Sequence, residues 1–301
     1  QCYYCVSQGF LDNHQMTGEE LLKAIDKLAA MGLRGLIFSG GGEPLCNKET
    51  LSGVAYAKHQ KVAVGFITNG VLIDPAAAKH LMANCDWVRV SLDSMRRDTY
   101  KKIRGTDQFG LAVQGIKNLL HTKPNSQCTV GIQMVVNDYN SGEITHFVNR
   151  AEQEFQYLDY VQIRPVEIGR ETDPYSGQQM EIIQNQFHAL ENTKALISQK
   201  WEVIFGQREY GFTACHCYGL IGAVDAHGDL YTCCHTIKKS GLKYGNIFND
   251  DIEKIFTGRE FMAEKSIKTK LSVHCPIACR GSSINRRLEG LQSGTEHKNF
   301  L

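Results

Sequence analysis

The sequence predicts an α/β fold in two parts: an open, partial (β/α)6 barrel over residues 1–200 and a small cysteine-rich domain over residues 201–301. Three observations carry this reading. Short β-rich runs alternate with amphipathic stretches through the first two thirds of the chain, the pattern of parallel strands joined by crossover helices. About six such units can be traced, too few to close an eightfold barrel, so the sheet is expected to stay open. Cys215, Cys217, Cys233, Cys234, Cys275 and Cys279 then crowd the last third, where the alternation stops.

Taken in order, a first strand is expected to lead into Cys2 and Cys5. Thr17 to Met31 opens with a Thr-Gly-Glu-Glu start typical of a capped helix. Gly35–Ser39, Val62–Thr68, Trp87–Ser91, Thr129–Val136 and Tyr160–Arg164 read as strands. Between them, Pro75 to Ala83 carries proline in its first turn, and Gly142 to Glu154 is a further helical segment. Glu171–Gly177 is a turn-rich connector, and Gln178 to Gln199 reads as a helix, which places a domain boundary near residue 200. Beyond it, Ile221–Asp225 and Asp229–Cys233 flank an Ala-His-Gly turn as a hairpin would, and Asp250 to Gly258 reads as a short helix ending at glycine.

Composition narrows the function. With 42% hydrophobic and 22% charged residues and 6 prolines, the chain is an ordinary globular one rather than a disordered one. Its 33 basic and 32 acidic residues nearly cancel, leaving no global field to hold nucleic acid or an anionic membrane. No apolar run is long enough to cross a bilayer and no signal-peptide pattern opens the chain, so a cytoplasmic location is expected. In that setting 11 cysteines point to metal ligation or redox chemistry rather than structural disulfides.

Gly40-Gly41-Gly42-Glu43-Pro44 directly follows a strand, at the sheet edge where barrel enzymes build their sites. Glycines there let a ligand approach the backbone, and the Glu43 carboxylate suits an ammonium group. Arg104 and Arg164 sit after strands and are candidate carboxylate clamps. Glu167, Arg170 and Tyr210 are candidates for substrate contact or proton handling. Read alone, the carboxyl-terminal cysteines with His216, His235 and His274 would equally build a structural zinc site. Cys46, Cys85 and Cys128 read as small hydrophobes beside strands.

Cys2-Tyr3-Tyr4-Cys5, Gly40–Pro44, Thr68-Asn69-Gly70 and Ser91-Leu92-Asp93, in this order at successive strand ends, resemble the radical S-adenosylmethionine (SAM) superfamily. That family's motif is C-x-x-x-C-x-x-C with an aromatic residue before the last cysteine. Cys2 and Cys5 match its second and third positions and Tyr4 its aromatic. The first position would lie four residues before Cys2, and the chain is expected to begin downstream of it.

The resemblance implies a [4Fe-4S] cluster held by three thiolates, with SAM chelating the open iron. It further implies that Gly41, Gly42 and Glu43 hold the methionyl ammonium and that Ser91, Asp93 and Arg104 lie near the ribose or carboxylate. Tyr4 and Asn69 would line the pocket, with Val136 and Asn137 beside the adenine. At the other end, Cys217-x10-Gly228-x4-Cys233 followed by Cys275-x3-Cys279 looks like a SPASM or twitch domain. This implies one auxiliary [4Fe-4S] cluster on Cys217, Cys233, Cys275 and Cys279, with Cys215 and Cys234 as replacements or as hydrogen-atom or proton donors.

The implied activity is reductive SAM cleavage to a 5′-deoxyadenosyl radical, then hydrogen abstraction from a small polar or peptide substrate with net oxidation or epimerisation. Such an enzyme draws electrons from an external donor such as a flavodoxin or ferredoxin. Peptide crosslinking and a non-enzymatic zinc scaffold are the alternatives.

Overall fold

The computed structural model describes residues 2–5, 7, 12–166, 175–206, 211–217, 220–238, 243–257, 275–276 and 279–293. The chain divides into two compact units. One runs through Val166 and takes in the segment up to Ser198; the other begins at Gln199.

The first unit is built on a six-stranded parallel sheet whose strands lie side by side in sequence order: β1 (Gly35–Phe38), β2 (Ala63–Thr68), β3 (Trp87–Ser91), β4 (Thr129–Val136), β5 (Tyr160–Pro165) and β6 (Ala195–Ile197). Helices α1 (Gly18–Ala30), α2 (Thr50–His59), α3 (Pro75–Asn84), α4 (Arg97–Arg104), α5 (Phe109–Thr122), α6 (Ile144–Glu154) and α7 (Gly177–His188) precede or join them. This is the open α/β arrangement the sequence predicts.

Local chemistry starts the helices. Thr17 accepts from the Glu20 amide while the Glu20 carboxylate accepts from the Thr17 amide at 2.9 Å, so α1 begins with a complete capping box. Asp74 accepts from the Ala77 amide at 2.7 Å, ahead of Pro75 in the first turn of α3. The central strands β2 to β5 carry the core: Val64, Phe66, Val90, Ile132, Met134 and Ile163 have no exposed surface. On the other face, Trp87 lies against Gly65, Arg89 stacks on the Trp87 ring at 5.4 Å, and Arg89 donates to Gln162 at 2.9 Å.

The sixth strand corrects the sequence reading. It is Ala195–Ile197, inside the stretch expected to be helical, while a strand leading into Cys2 lies outside the described residues. Helix α7 stops at His188, and Asn192 takes φ +67, a left-handed turn that asparagine tolerates. Lys194 then anchors the return: its ammonium donates to the Leu158 carbonyl at 2.7 Å and its amide to Glu152. Local propensity favours helix, whereas pairing of Val161 with Ala195 across the sheet favours strand, and the tertiary term wins.

In the second unit, after α8 (Lys200–Phe205), three short strands form an antiparallel sheet: β7 (Ala223–Val224), β8 (Asp229–Tyr231) and β9 (Lys243–Asn246). Helix α9 (Ile252–Thr257) follows, and a last helix spans Ser282–Ser293. No helix among the described residues is long and apolar enough to cross a membrane. Because every strand of the larger sheet is parallel, Phe38, Thr68, Ser91, Val136 and Pro165 all end on one edge, which gathers the loops that follow them.

Candidate active site and metal centres

The amino-terminal loop makes a tight turn, the Cys5 amide donating to the Cys2 carbonyl at 3.2 Å, and the Tyr3 amide ties it to the Ile103 carbonyl at the end of α4. Both thiols are half-buried. Tyr4 and Arg104 converge on Asp93, which has no exposed surface. The Tyr4 phenol donates to Asp93 Oδ2, Arg104 Nη2 lies 2.7 Å from that oxygen, and Asp93 Oδ1 accepts from the Val135 amide at 2.9 Å. Arg104 Nη1 is 3.5 Å from the Cys2 sulfur. Burial alone would lower the Arg104 pKa, but the Asp93 charge beside it raises it, so the guanidinium stays charged. Burial and the same carboxylate hold Tyr4 protonated, well above the ordinary phenol value.

At the end of β1, Glu43 caps the 3₁₀ turn Pro44–Cys46. Its Oε1 accepts from the Thr68 hydroxyl at 2.7 Å and the Leu45 amide at 3.3 Å, and its Oε2 from the Asn69 amide at 2.8 Å. One carboxylate thus stitches the ends of β1 and β2 together. Burial pushes its pKa up against these hydrogen bonds. Gly41 and Gly42 are exposed, with open space where a Gly42 side chain would project. Asn69 is half-buried and folds back on the Val71 amide at 2.9 Å, while Gly70 takes φ +81, which makes glycine the fitting residue for this turn.

Ser91 is half-buried at the end of β3, beside Gln133 of β4. Asn137 is buried; its amide group donates to the Val135 carbonyl at 2.9 Å, and its backbone amide is taken by Asn140 Oδ1 at 2.7 Å. The Val136 carbonyl accepts from Tyr175 at 2.7 Å and from the Val166 amide at 3.1 Å. Arg164 is half-buried on β5, beside Val135. Glu167, Arg170 and Tyr210 lie outside the described residues. Cys85 and Cys128 are buried, as small hydrophobes would be, and Cys46 is exposed.

In the second unit the helix Ser282–Ser293 organises the cysteines. Asn285 Oδ1 accepts from the His216 and Cys217 amides at 2.7 and 2.9 Å. Glu289 accepts from the Thr213 amide at 2.7 Å and the Thr213 hydroxyl at 2.6 Å. Cys217 donates to the Gly281 carbonyl at 3.5 Å, and a Cβ at Gly281 would come within 2.6 Å of its sulfur. Burial pushes Cys217 up to about 11, and the nearby Cys215, Cys279 and Cys233 thiols add to it. Burial raises Cys233 to about 11 as well, with Cys234 and Cys279 contributing. At Cys234 desolvation is outweighed by His235 and by Arg280, 3.4 Å away, which bring the thiol down to about 7. Cys275 and Cys279 are half-buried. Among the described residues, no three His, Cys, Asp or Glu side chains are grouped to hold a single metal ion.

A family model described as the radical SAM superfamily matches residues 1–151, half of the chain. The chain belongs to the radical SAM superfamily. It is 26% identical over 267 residues to the mycofactocin maturase MftC of Mycobacterium ulcerans (strain Agy99), a match covering 83% of this chain and 68% of that protein. For the maturase of Mycobacterium tuberculosis (strain CDC 1551 / Oshkosh) the identity is 28% over 270 residues, covering 83% of this chain and 64% of the relative. This chain therefore spans about two thirds of the length of these curated relatives. Native anSMEcpe with bound AdoMet and Kp18Cys peptide shares the fold, with a TM-score of 0.65, 17% identity and coverage of 97% of this chain and 93% of that chain.

Radical SAM proteins use SAM and a [4Fe-4S] cluster, and the residues here fit both. Cys2 and Cys5 present thiols from one turn, with a buried cation on the Cys2 sulfur. An ionised carboxylate has about four acceptor positions, and Glu43 uses three on protein donors, which leaves one for an ammonium. Burial, and after it the neighbouring thiols, hold Cys217 and Cys233 protonated, a cost that a cationic metal centre relieves. Sequence reasoning missed Asn285, Glu289 and Gly281, which carry no motif of their own, and gave Thr68, inside a quoted motif, no role of its own. It also treated Tyr4, Asp93 and Arg104 as separate contacts when they form one linked group.

Proposed function

We propose that this chain is a peptide-modifying radical SAM enzyme whose net reaction is an oxidation assisted by one auxiliary [4Fe-4S] cluster. When bound, the first cluster and SAM together supply reductive cleavage to methionine and a hydrogen-abstracting 5′-deoxyadenosyl radical. Cys2 and Cys5 would ligate that cluster. Glu43, with Gly41 and Gly42 leaving the approach open, would hold the methionyl ammonium, and Ser91 and Asn69 would face the nucleoside from the ends of β3 and β2. Val136 and Asn137 would border the adenine, their backbone fixed by Tyr175 and Asn140. Arg164 and Glu167 would meet the substrate.

Cys217, Cys233, Cys275 and Cys279 would ligate the auxiliary cluster, with Cys215 and Cys234 in reserve as ligands or hydrogen donors. A flavodoxin- or ferredoxin-type protein in the cytoplasm would deliver the electron, because cluster potentials must reach the low end of a range extending to about −700 mV. The peptide class is supported by relatives that are maturases and by the peptide bound in anSMEcpe.

The single observation that carries the reading is the meeting, on one sheet edge, of the Cys2–Cys5 turn with Asp93 and Arg104 and of Glu43 with the β2 end. The test is anaerobic incubation of reconstituted protein with SAM, a strong reductant and candidate peptides. Release of 5′-deoxyadenosine is expected, with loss of two hydrogens from the peptide. Unchanged mass in ordinary water, with gain of one carbon-bound deuterium in heavy water, would instead assign epimerisation. Cluster-loaded protein that never forms 5′-deoxyadenosine would end the proposal.

A further inference from the structure

We propose that Asp93 and Arg104 form a buried charge pair that positions the cluster loop and sets the reduction potential of the cluster through the Cys2 sulfur. This rests on the reading of Cys2 as a cluster ligand.

Asp93 stands at φ +67, a left-handed conformation that an aspartate adopts at some cost. The turn lets the Leu92 and Asp93 amides share the Gln133 carbonyl, at 3.0 and 3.2 Å, and sends the carboxylate back toward β4 and the amino-terminal loop. There it has no exposed surface and is held by the Val135 amide, the Tyr4 phenol and the Arg104 cation. Arg104 comes from the last turn of α4, and only 10% of its side chain is exposed. Its fork is divided, one nitrogen on Asp93 at 2.7 Å and the other on Cys2 at 3.5 Å.

Asp93 therefore reaches the loop by two routes, through the Tyr4 phenol next to Cys5 and through Arg104 to Cys2. The outcome is a cation fixed against one ligand sulfur and an anion fixed one step behind it. A positive charge and an N–H donor at a ligand sulfur favour the cluster state that carries the extra electron, whereas a negative charge opposes it. Removing the two charges should thus shift the potential in opposite directions, which mere loosening of the loop would not do.

The experiment uses the full-length holoenzyme, reconstituted anaerobically, and follows by redox titration the cluster EPR signal that changes when SAM is added. Arg104→Met exposes the cluster to the unbalanced Asp93 charge and should shift the reduction equilibrium about tenfold toward the oxidised form, about 59 mV for one electron. Arg104→Lys keeps the charge and should restore most of that shift. Asp93→Asn leaves the Arg104 charge unbalanced and should move the equilibrium the other way. Unchanged potentials, or shifts of the same sign in Arg104→Met and Asp93→Asn, overturn the proposal. If Arg104→Met fails to load iron, Asp93→Asn decides alone, and a wild-type or lower potential in it overturns the proposal. Cys2→Ser that keeps the SAM-responsive signal would instead reject Cys2 as a ligand, a separate failure.

Discussion

At the end of β1, Glu43 holds two strand ends together with the same carboxylate that is proposed to bind SAM, so its protonation has two consequences of opposite sign. Burial raises its pKa above the ordinary value of about 4.3. A carboxyl raised in the folded state binds protons more readily folded than unfolded, so apo-protein stability should fall as pH rises through the window above that ordinary value. SAM affinity should do the reverse, because the ammonium needs the ionised form. Equilibrium binding across pH should therefore show SAM affinity lost on acidification at a higher pH than an exposed carboxylate would give. Glu43→Ala should weaken binding about tenfold or more, the worth of one charge-assisted hydrogen bond. A pH-independent affinity in the wild type would exclude Glu43 as the ammonium partner.

Glu289 shows the opposite shift. The Thr213 hydroxyl, opposed by slight desolvation and helped by the Thr213 and Ala214 amides, holds its carboxyl down to about 2. A depressed pKa contributes stability above the unfolded value, and that contribution is lost as pH falls from about 4.3 toward 2. Glu289→Gln should cost about 1 kcal/mol at neutral pH, with the gap to wild type closing in acid when both are followed by thermal unfolding. The same acceptor steadies the segment that leads into Cys215, so Asn285→Ala, which frees the Cys217 amide, should lower iron content without touching a thiol.

Elements differ in how far local chemistry determines them, and this decides what could be read ahead of the structure. The capping box of α1, Pro75 in α3 and the strand Trp87–Ser91 are set by neighbours in sequence, and they stand where the sequence places them. Strand β6 depends on pairing with β5, and its Leu196 stays 50% exposed at the edge, so no alternation marks it. The site follows the same rule. Motif spacing brings Glu43, Asn69 and Ser91 to one sheet edge, because parallel strands in order must deliver their ends together. The Tyr4–Asp93 contact spans 89 residues and no spacing announces it.

A substitution pair separates the two kinds of determinant at this scale. Thr17→Ala removes only a cap and should cost about 1 kcal/mol in denaturant unfolding while leaving SAM binding intact. Gly70→Ala forces a side chain into φ +81 with Val90 2.8 Å from its Cβ, in the turn that orients Asn69. It should destabilise by about 1 kcal/mol or more and weaken SAM binding as well. Equal effects of the two on SAM binding would deny the β2 turn a role in the site.

For the whole molecule, the thiols of the proposed SAM site and of the auxiliary site belong to different compact units, each with its own means of holding them. Arg104 and Asp93 serve Cys2 in the first, and the helix Ser282–Ser293 serves Cys215 and Cys217 in the second. Loss of one cluster should therefore leave the other loaded. A Cys217→Ala, Cys233→Ala double variant should retain roughly half of the iron and sulfide. It should still release 5′-deoxyadenosine from SAM in the absence of peptide, while peptide conversion fails. Cys5→Ala should keep the complementary half and release none. Zinc in place of iron in the second unit, with no sulfide to match, would instead make that unit a structural module. Loss of both clusters in either variant would show that the units cannot be assembled independently.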